Sequence, residues 1–291
     1  MKRAALYLSL LLLFASCSAP RYARGPESSV IESRRGQLGK IEAVTYRSSE
    51  PRLEERRMVV YLPERYGRDT LRRYPVLYLL HGARGNETTW ADSADVFRRV
   101  DSLRLEGKAE DFIIVLPNMN HYFGERDYNG GHAQNAVRAF WLLTGEAERY
   151  FIHDVVMRVD SMYRTIPEKS GRAVAGLSAG ALQSLYLSAG NPETFDYIGL
   201  FSPYVYPTFA AACHGDVYGG LWPRLERQFA DPPALFAIYI GKADFFYPHV
   251  AQFDRKMDRK GYPHEMIVSD GGHKWSNWRV FLTDFLQKVF R

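Results

Sequence analysis

Residues 174–181 read Val-Ala-Gly-Leu-Ser-Ala-Gly-Ala and contain a Gly-x-Ser-x-Gly pentapeptide centred on Ser178. An apolar run over 172–177 predicts a buried strand before the serine, and apolar spacing over 179–189 predicts a helix after it. A serine in such a strand-to-helix turn is typical of a nucleophile raised above the edge of a sheet. Gly176 and Gly180 allow the backbones to come close there. The segment therefore predicts Ser178 as a nucleophile.

The chain around this segment alternates short apolar runs with helical patterns. The apolar runs predict strands over 41–46, 58–62, 75–80, 112–116, 172–177, 197–201, 235–240 and 265–268. Apolar residues at three- and four-residue steps predict helices over 93–106, 146–163, 179–189, 250–260 and 277–290. The first two strands are close enough in sequence to pair antiparallel, and near-continuous apolar strands are typical of a parallel sheet covered on both faces. We expect a single α/β domain with about eight strands.

The composition fits a folded domain of this kind. Hydrophobic residues make up 46% of the 291 residues and charged residues 24%, which excludes disorder as the main state. The net charge of +5 falls to +3 without residues 1–16, too small a bias to indicate nucleic-acid binding.

A serine nucleophile needs a base, and the base needs an orienting carboxylate. In strand-turn-helix sites of this type the chain order is serine, acid, histidine. Asp244 follows the strand 235–240 and His273 follows the strand 265–268, so both lie at the same sheet edge as Ser178. We therefore predict a Ser178-Asp244-His273 triad.

Other acids and histidines are weaker candidates for these roles. Asp270 adjoins the histidine loop, and the remaining alternatives precede a strand or lie on or beside a helix: Asp231, Asp254, Asp258, His249 and His264.

Two backbone N–H groups are candidates for stabilising the oxyanion that forms when a carbonyl is attacked. Ala179 opens the helix after Ser178, and Ala83 lies in the loop that follows the strand 75–80. We expect the His81 ring to anchor this loop rather than act as a second base.

Two long stretches without clear strands, 118–143 and 203–233, are rich in aromatic residues and proline. Insertions of this kind usually cover the ligand crevice of a doubly wound sheet. Their aromatic rings could stack a sugar or phenolic group, or could pack as a lid: Tyr122, Tyr128, Trp141, Tyr204, Tyr206 and Trp222. For substrate contact we select Trp90, Tyr128 and Trp275, with loop packing as the alternative for Trp90.

The N-terminal residues predict export. Lys2 and Arg3 precede an apolar run from Leu6 to Phe14 that is too short for a permanent membrane span. Phe14-Ala15-Ser16-Cys17 resembles a bacterial lipobox, so we expect residues 1–16 to be a signal peptide and Cys17 to be lipidated. Ordinary cleavage near Ala19 is the alternative.

The remaining organisation follows from this reading. Residues 17–40 are rich in polar residues, glycine and proline and predict a tether, with 41–291 as the domain. We expect a lipoprotein of the periplasm, outer membrane or cell surface.

Cys213 is then a lone thiol, because two cysteines give no disulfide framework. Residues His121, His132, His153 and His214 lack metal-ligand spacing, so no metal or other cofactor is predicted.

Three segments carry a resemblance to a known family. They are Leu79-Leu80-His81-Gly82 with Trp90 downstream, Tyr163-Arg164-Thr165 ahead of the Ser178 segment, and Gly271-Gly272-His273-Lys274-Trp275-Ser276-Asn277-Trp278-Arg279. From about Ile41 onward the chain resembles the esterase D, or putative esterase, family of α/β-hydrolases. The resemblance implies an α/β-hydrolase fold and the roles already given to Ser178, Asp244 and His273. The chain departs from the family pattern at Arg84 and Ala181, which lie outside the predicted triad.

The resemblance and the predicted export together suggest an ester substrate in which an acetyl or feruloyl group is attached to a carbohydrate. Two alternatives stay open from the sequence. One is an acyltransferase similar to the mycolyltransferases, and the other is a non-catalytic binding lipoprotein on a hydrolase scaffold.

Overall fold

Eight strands form one sheet in the computed structural model, which describes residues 38–50, 55–83, 85–119 and 143–291. The strands are β1 Lys40–Arg47, β2 Glu55–Leu62, β3 Val76–Leu80, β4 Ile113–Pro117, β5 Arg172–Leu177, β6 Tyr197–Phe201, β7 Leu235–Gly241 and β8 Glu265–Ser269. Their spatial order is β1-β2-β4-β3-β5-β6-β7-β8. The pairs β1–β2 and β2–β4 are antiparallel, and all other neighbours are parallel. This is the predicted α/β-hydrolase architecture.

The predicted strands are all present, including the antiparallel pair at the start. The strand β8 differs from the expectation of burial on both faces, since its residues are exposed or half-buried. Its position at the end of the sheet explains this, because an edge strand has a neighbour on one side only.

Helices lie on both faces of the sheet. They are α1 Thr89–Ala94, α2 Val96–Leu105, α3 Glu146–Phe151, α4 Met157–Met162, α5 Ala179–Gly190, α6 Thr208–Cys213, α7 Gly215–Tyr218, α8 Leu221–Gln228, α9 Tyr247–Arg259 and α10 Trp275–Lys288. No helix in the described part of the chain is long and apolar enough to cross a membrane.

Successive residues of the central strands serve opposite faces, because strand side chains alternate. Tyr78 of β3 joins a core cluster that contains Phe151 and Leu185. The next residue, Leu79, joins the cluster on the other face, which contains Phe285. Each fully buried leucine or phenylalanine side chain stabilises the fold by about 1.5–3 kcal/mol relative to an exposed one. Two apolar layers therefore hold the sheet between its helices.

Two of the predicted helices are interrupted. The helix predicted over 93–106 is two helices, α1 and α2, separated at Asp95, whose φ is +51°. The helix predicted over 146–163 contains a π-helical turn, Ile152–Val156, between α3 and α4. The buried Asp154 in that turn accepts hydrogen bonds from Ser48 and Ser49. Tertiary contacts of this kind leave no signal in the apolar periodicity.

The parallel strands place several loops at one edge of the sheet. The carboxyl ends of β5, β7 and β8 all lie there, as their parallel register requires. Residues 203–233 hold the short helices α6, α7 and α8 and no strand. Most of the other insertion, 120–142, lies outside the described residues.

Candidate active site

Ser178 occupies a strained turn between β5 and α5. Its φ of +54° and ψ of −113° lie in a region that residues with a side chain rarely adopt. Its N–H donates to the Phe201 carbonyl oxygen at 2.8 Å, which ties the turn to β6. A strained backbone of about 1–3 kcal/mol is found mainly at functional sites, where surrounding contacts hold it.

The two glycines of the pentapeptide are required by close backbone contacts. A Cβ added to Gly176 would lie 2.5 Å from the Gly180 carbonyl carbon. One added to Gly180 would lie 2.4 Å from the His81 carbonyl oxygen. Both distances are shorter than carbon and oxygen atoms tolerate, so the turn forms only without these side chains.

Asp244 lies in the turn after β7. Its carboxylate is buried, and Oδ1 accepts a hydrogen bond from the Phe246 N–H at 2.9 Å. The other oxygen, Oδ2, accepts one from His273 Nδ1 at 2.9 Å. The backbone bond holds the carboxylate so that its second oxygen meets the imidazole.

His273 follows β8 and links the other two residues. Its Nε2 lies 3.0 Å from Ser178 Oγ, within hydrogen-bond distance. Because the Asp244 carboxylate accepts at Nδ1, the hydrogen is on Nδ1 and Nε2 is left to accept from the serine hydroxyl. The structure therefore brings the three predicted residues into one hydrogen-bonded chain, with the imidazole placed to take a proton from Ser178.

The two predicted oxyanion donors, the N–H groups of Ala83 and Ala179, belong to residues near or next to Ser178. Neither the Ala83 nor the Ala179 N–H has a hydrogen-bond acceptor among the described residues. A Cβ added to Gly82 would lie 3.5 Å from Ser178 Cβ, so the residue before Ala83 lies close to the serine. Two N–H groups next to a nucleophile could stabilise negative charge on an attacked carbonyl oxygen.

His81 anchors the loop that contains Ala83. The buried ring donates from Nδ1 to the Gly82 carbonyl oxygen at 2.8 Å and accepts at Nε2 from the Met119 N–H at 2.9 Å. Burial lowers the pKa of His81 to about 4, which keeps the ring neutral at ordinary pH. The ring connects the ends of β3 and β4 and is not in the hydrogen-bonded chain of Ser178.

Trp90 packs beneath the same loop. Its ring is 1% exposed, and its indole N–H donates to the Leu80 carbonyl oxygen at 2.9 Å. It meets Trp275 edge to face at 5.4 Å. This burial favours the loop-packing alternative for Trp90 over substrate contact, because almost none of its surface is exposed. Trp275 is half-buried at the start of α10.

Aromatic rings that were assigned no role from the sequence surround the imidazole of His273. The centroid of Phe245 lies 4.5 Å from that of His273, that of Phe246 5.4 Å, and that of Trp278 4.9 Å. Phe245 and Phe246 directly follow Asp244, so their position in the strand-end turn was the available signal. Tyr204 extends this group by stacking on Phe246 at 5.2 Å.

The competing acids have other partners. Asp270 is 93% exposed at its side chain and pairs with Lys242, while Asp231 pairs with Lys169. Asp254 lies 3.1 Å from His264. None of these contacts involves Ser178.

The other selected residues separate into two groups. Cys17, Arg84 and Tyr128 lie outside the described residues. Tyr206 and Trp222 pack against Phe253 of α9, which favours lid packing for these two rings. In the described ranges, no group of three or more His, Cys, Asp or Glu residues is arranged to hold a metal ion.

Comparison with known proteins gives consistent matches. A sequence model of the putative esterase family matches residues 49–239. An endo-1,4-beta-xylanase/feruloyl esterase of Xylanibacter ruminicola is 30% identical in an alignment 258 residues long that covers 87% of this chain and 32% of that protein. The chain thus spans about a third of that relative's length.

Solved structures share the fold. A ferulic acid esterase superposes with a TM-score of 0.71 at 24% identity, over 88% of this chain and 99% of that one. An S-formylglutathione hydrolase of Staphylococcus aureus superposes with a TM-score of 0.69 at 17% identity, over 89% of this chain and 99% of that one. At these identities the similarity establishes the α/β-hydrolase fold and no more.

Proposed function

Because the chain belongs to the putative esterase family, we propose that it is a serine carboxylester hydrolase with Ser178 as nucleophile, His273 as base and Asp244 as the orienting acid. One observation carries the proposal. The hydrogen bonds from Asp244 through His273 to Ser178 measure 2.9 and 3.0 Å and end on a serine in a strained turn. That arrangement converts an unreactive hydroxyl into a nucleophile.

In the acylation half of the reaction, Ser178 Oγ attacks the ester carbonyl carbon and His273 Nε2 takes the hydroxyl proton. The carbonyl oxygen becomes negatively charged and accepts hydrogen bonds from the Ala83 and Ala179 N–H groups. When the tetrahedral intermediate collapses, the ester C–O bond breaks. His273 gives its proton to the departing alcohol oxygen, and the acyl group stays on Ser178.

In the deacylation half, water replaces the alcohol. His273 Nε2 takes a proton from the water as its oxygen attacks the acyl carbon. The bond to Ser178 Oγ then breaks, His273 returns the proton to the serine, and the carboxylic acid leaves. Asp244 stabilises the imidazolium that exists during both halves.

For the natural substrate we propose an acyl ester of a carbohydrate, with an acetyl or feruloyl acyl group. The 30% identical relative is named a xylanase and feruloyl esterase, which supports this substrate class. The half-buried rings of Phe245 and Tyr204 beside the triad give an apolar wall suited to a phenolic acyl group.

For the cellular location we propose export and attachment to a membrane through a lipid on Cys17. The positive start, the apolar run and the small residues before Cys17 support this proposal.

The test of the proposed reaction is hydrolysis of p-nitrophenyl butyrate by the parent protein and by Ser178→Ala. We expect turnover by the parent and a loss in kcat on the order of 10⁶-fold in the variant. Equal rates for two folded proteins would contradict the assignment of Ser178. Methyl ferulate and acetylated xylo-oligosaccharides, assayed next, distinguish feruloyl from acetyl preference. Assays with an added sugar test for acyl transfer, which would give an acylated sugar as a second product.

A further inference from the structure

Two adjacent residues at the end of β6 contact both the candidate nucleophile and the surroundings of the base. The Phe201 carbonyl oxygen accepts from the Ser178 N–H at 2.8 Å. The hydroxyl of the next residue, Ser202, accepts from the indole Nε1 of Trp278 at 3.0 Å. The Trp278 ring meets the His273 imidazole edge to face, with 4.9 Å between centroids and 86° between planes.

Ser202 has an uncommon backbone conformation. Its φ is +53°, and the residue is fully buried. A residue with a side chain rarely adopts this left-handed conformation, because its Cβ comes close to the following carbonyl oxygen. Its N–H donates to the Tyr239 carbonyl oxygen at 2.8 Å, which holds the strand end in this conformation. A strained, buried serine directly after the residue that holds the Ser178 turn is a candidate for a functional role.

The geometry of His273 leaves one rotation for its neighbours to restrict. Hydrogen bonds at Nδ1 and Nε2 define an axis through the ring, and these two bonds do not by themselves prevent the imidazole from tilting about that axis. The rings of Phe245, Phe246 and Trp278 pack against the imidazole at interplanar angles of 40°, 82° and 86°. A phenylalanine ring has no group that donates a directional hydrogen bond, whereas the Trp278 indole is oriented by its bond to Ser202.

We propose that Ser202 is a positioning residue for His273, acting through the orientation of Trp278. Ser202 touches no reacting atom and does not replace any member of the triad. The inference rests on the proposed function, because it assigns a role in the reaction that His273 would perform.

The experiment compares Ser202→Ala, Trp278→Phe and the double variant with the parent. Both substitutions remove the same hydrogen bond, and phenylalanine keeps an aromatic ring beside the imidazole. We expect kcat for p-nitrophenyl butyrate to fall by about 10- to 100-fold with KM little changed, as for a misplaced reacting group. The double variant should be no slower than the slower single variant, because the two residues act through one contact.

Ser188→Ala is the matched control. Ser188 is also a fully buried serine, and its hydroxyl donates to the Leu185 carbonyl oxygen at 3.1 Å within α5. We expect this variant to keep the parent kcat. The positioning role would be overturned if the loss of kcat in Ser202→Ala were fully explained by a smaller amount of folded protein. It would also be overturned if Ser188→Ala lost as much kcat as Ser202→Ala.

A second readout does not depend on turnover. The Nδ1 proton of His273, held by Asp244, gives a far-downfield proton NMR signal that His273→Gln identifies by removing it. We expect the signal to broaden in Ser202→Ala and Trp278→Phe and to stay sharp in Ser188→Ala. An unchanged signal and an unchanged kcat in Ser202→Ala, with Ser178→Ala inactive, would overturn the inference and leave the proposed function intact. Parent-like turnover by Ser178→Ala would contradict the proposed function, and the NMR signal alone would then decide the inference.

Discussion

At the scale of single residues, the site depends on pairs of polar atoms held at hydrogen-bond distance. Asp244 shows how this is done, since one carboxylate oxygen is held by a backbone N–H and the other is free to orient the imidazole. The sequence predicted these residues because each follows a predicted strand that ends at the same edge of the sheet. It could not predict the contact of Trp278 with Ser202, which depends on side-chain packing between α10 and β6.

Asp244→Asn tests the orienting carboxylate. The amide keeps the size of the side chain but favours the wrong imidazole tautomer, so we expect kcat to fall by about 10⁴-fold with little change in KM. Steady-state hydrolysis of p-nitrophenyl butyrate measures the effect. Asp270→Asn is the matched control, because Asp270 is exposed, adjoins the histidine loop and pairs only with Lys242 in the described structure. If both variants were equally impaired, or neither, Asp244 would not be the acid.

At the scale of elements, the site depends on loops anchored to strand ends. The loop after β3 is held by the His81 ring, which reaches the Met119 N–H after β4. The loop carries Ala83, one of the two candidate oxyanion donors. The break at Asp95 between α1 and α2 was not predicted, because aspartate tolerates a left-handed backbone without leaving a motif.

The buried His81 makes the stability of the fold depend on pH. Its pKa is about 4 in the folded chain, below the value of about 6.5 expected when the chain unfolds. As the pH falls from about 6.5 to about 4, His81 therefore takes up a proton in the unfolded chain while it stays neutral in the folded chain. We expect this difference to lower the free energy of unfolding by about 3 kcal/mol as the pH falls from about 6.5 to about 4. Above this range the neutral His81 contributes its full share of the stability.

Urea unfolding of the parent and of His81→Gln at several pH values checks this prediction. The variant should be less stable at pH 7, because hydrogen bonds are lost, yet should lose less stability between pH 6.5 and 4. The exposed His249, changed to glutamine, is the control and should keep the parent's pH dependence. Identical slopes for the parent and His81→Gln would contradict the buried, neutral ring.

At the scale of the whole molecule, the positions of the strands along the chain were the most predictable feature. Near-continuous apolar runs identified every strand because both faces of a central sheet are covered. The half-buried surface of β8 follows from its place at the edge, which a run of apolar residues does not reveal. No role was predicted for the aromatic group around His273, because its members come from two separate parts of the chain, the turn after β7 and α10.

The proposed lipid anchor is also a property of the whole molecule. We expect the parent, expressed in a bacterium, to fractionate with membranes and to carry a lipid mass on its N-terminal peptide. Cys17→Ser should lose both, whereas Cys213→Ser, which changes an exposed thiol, should keep both. Mass spectrometry of the membrane and soluble fractions makes the comparison. A Cys17→Ser protein that still carried lipid would contradict the anchor.

The central claim is that Ser178 is the nucleophile of a serine hydrolase. The most direct measurement is reaction of the folded protein with a fluorophosphonate, followed by intact mass and peptide mapping. The account predicts one adduct per chain, located on Ser178, with no adduct in Ser178→Ala and slow labelling in His273→Gln. An adduct on another residue, or ester turnover by a protein in which Ser178 stays unlabelled, would contradict it.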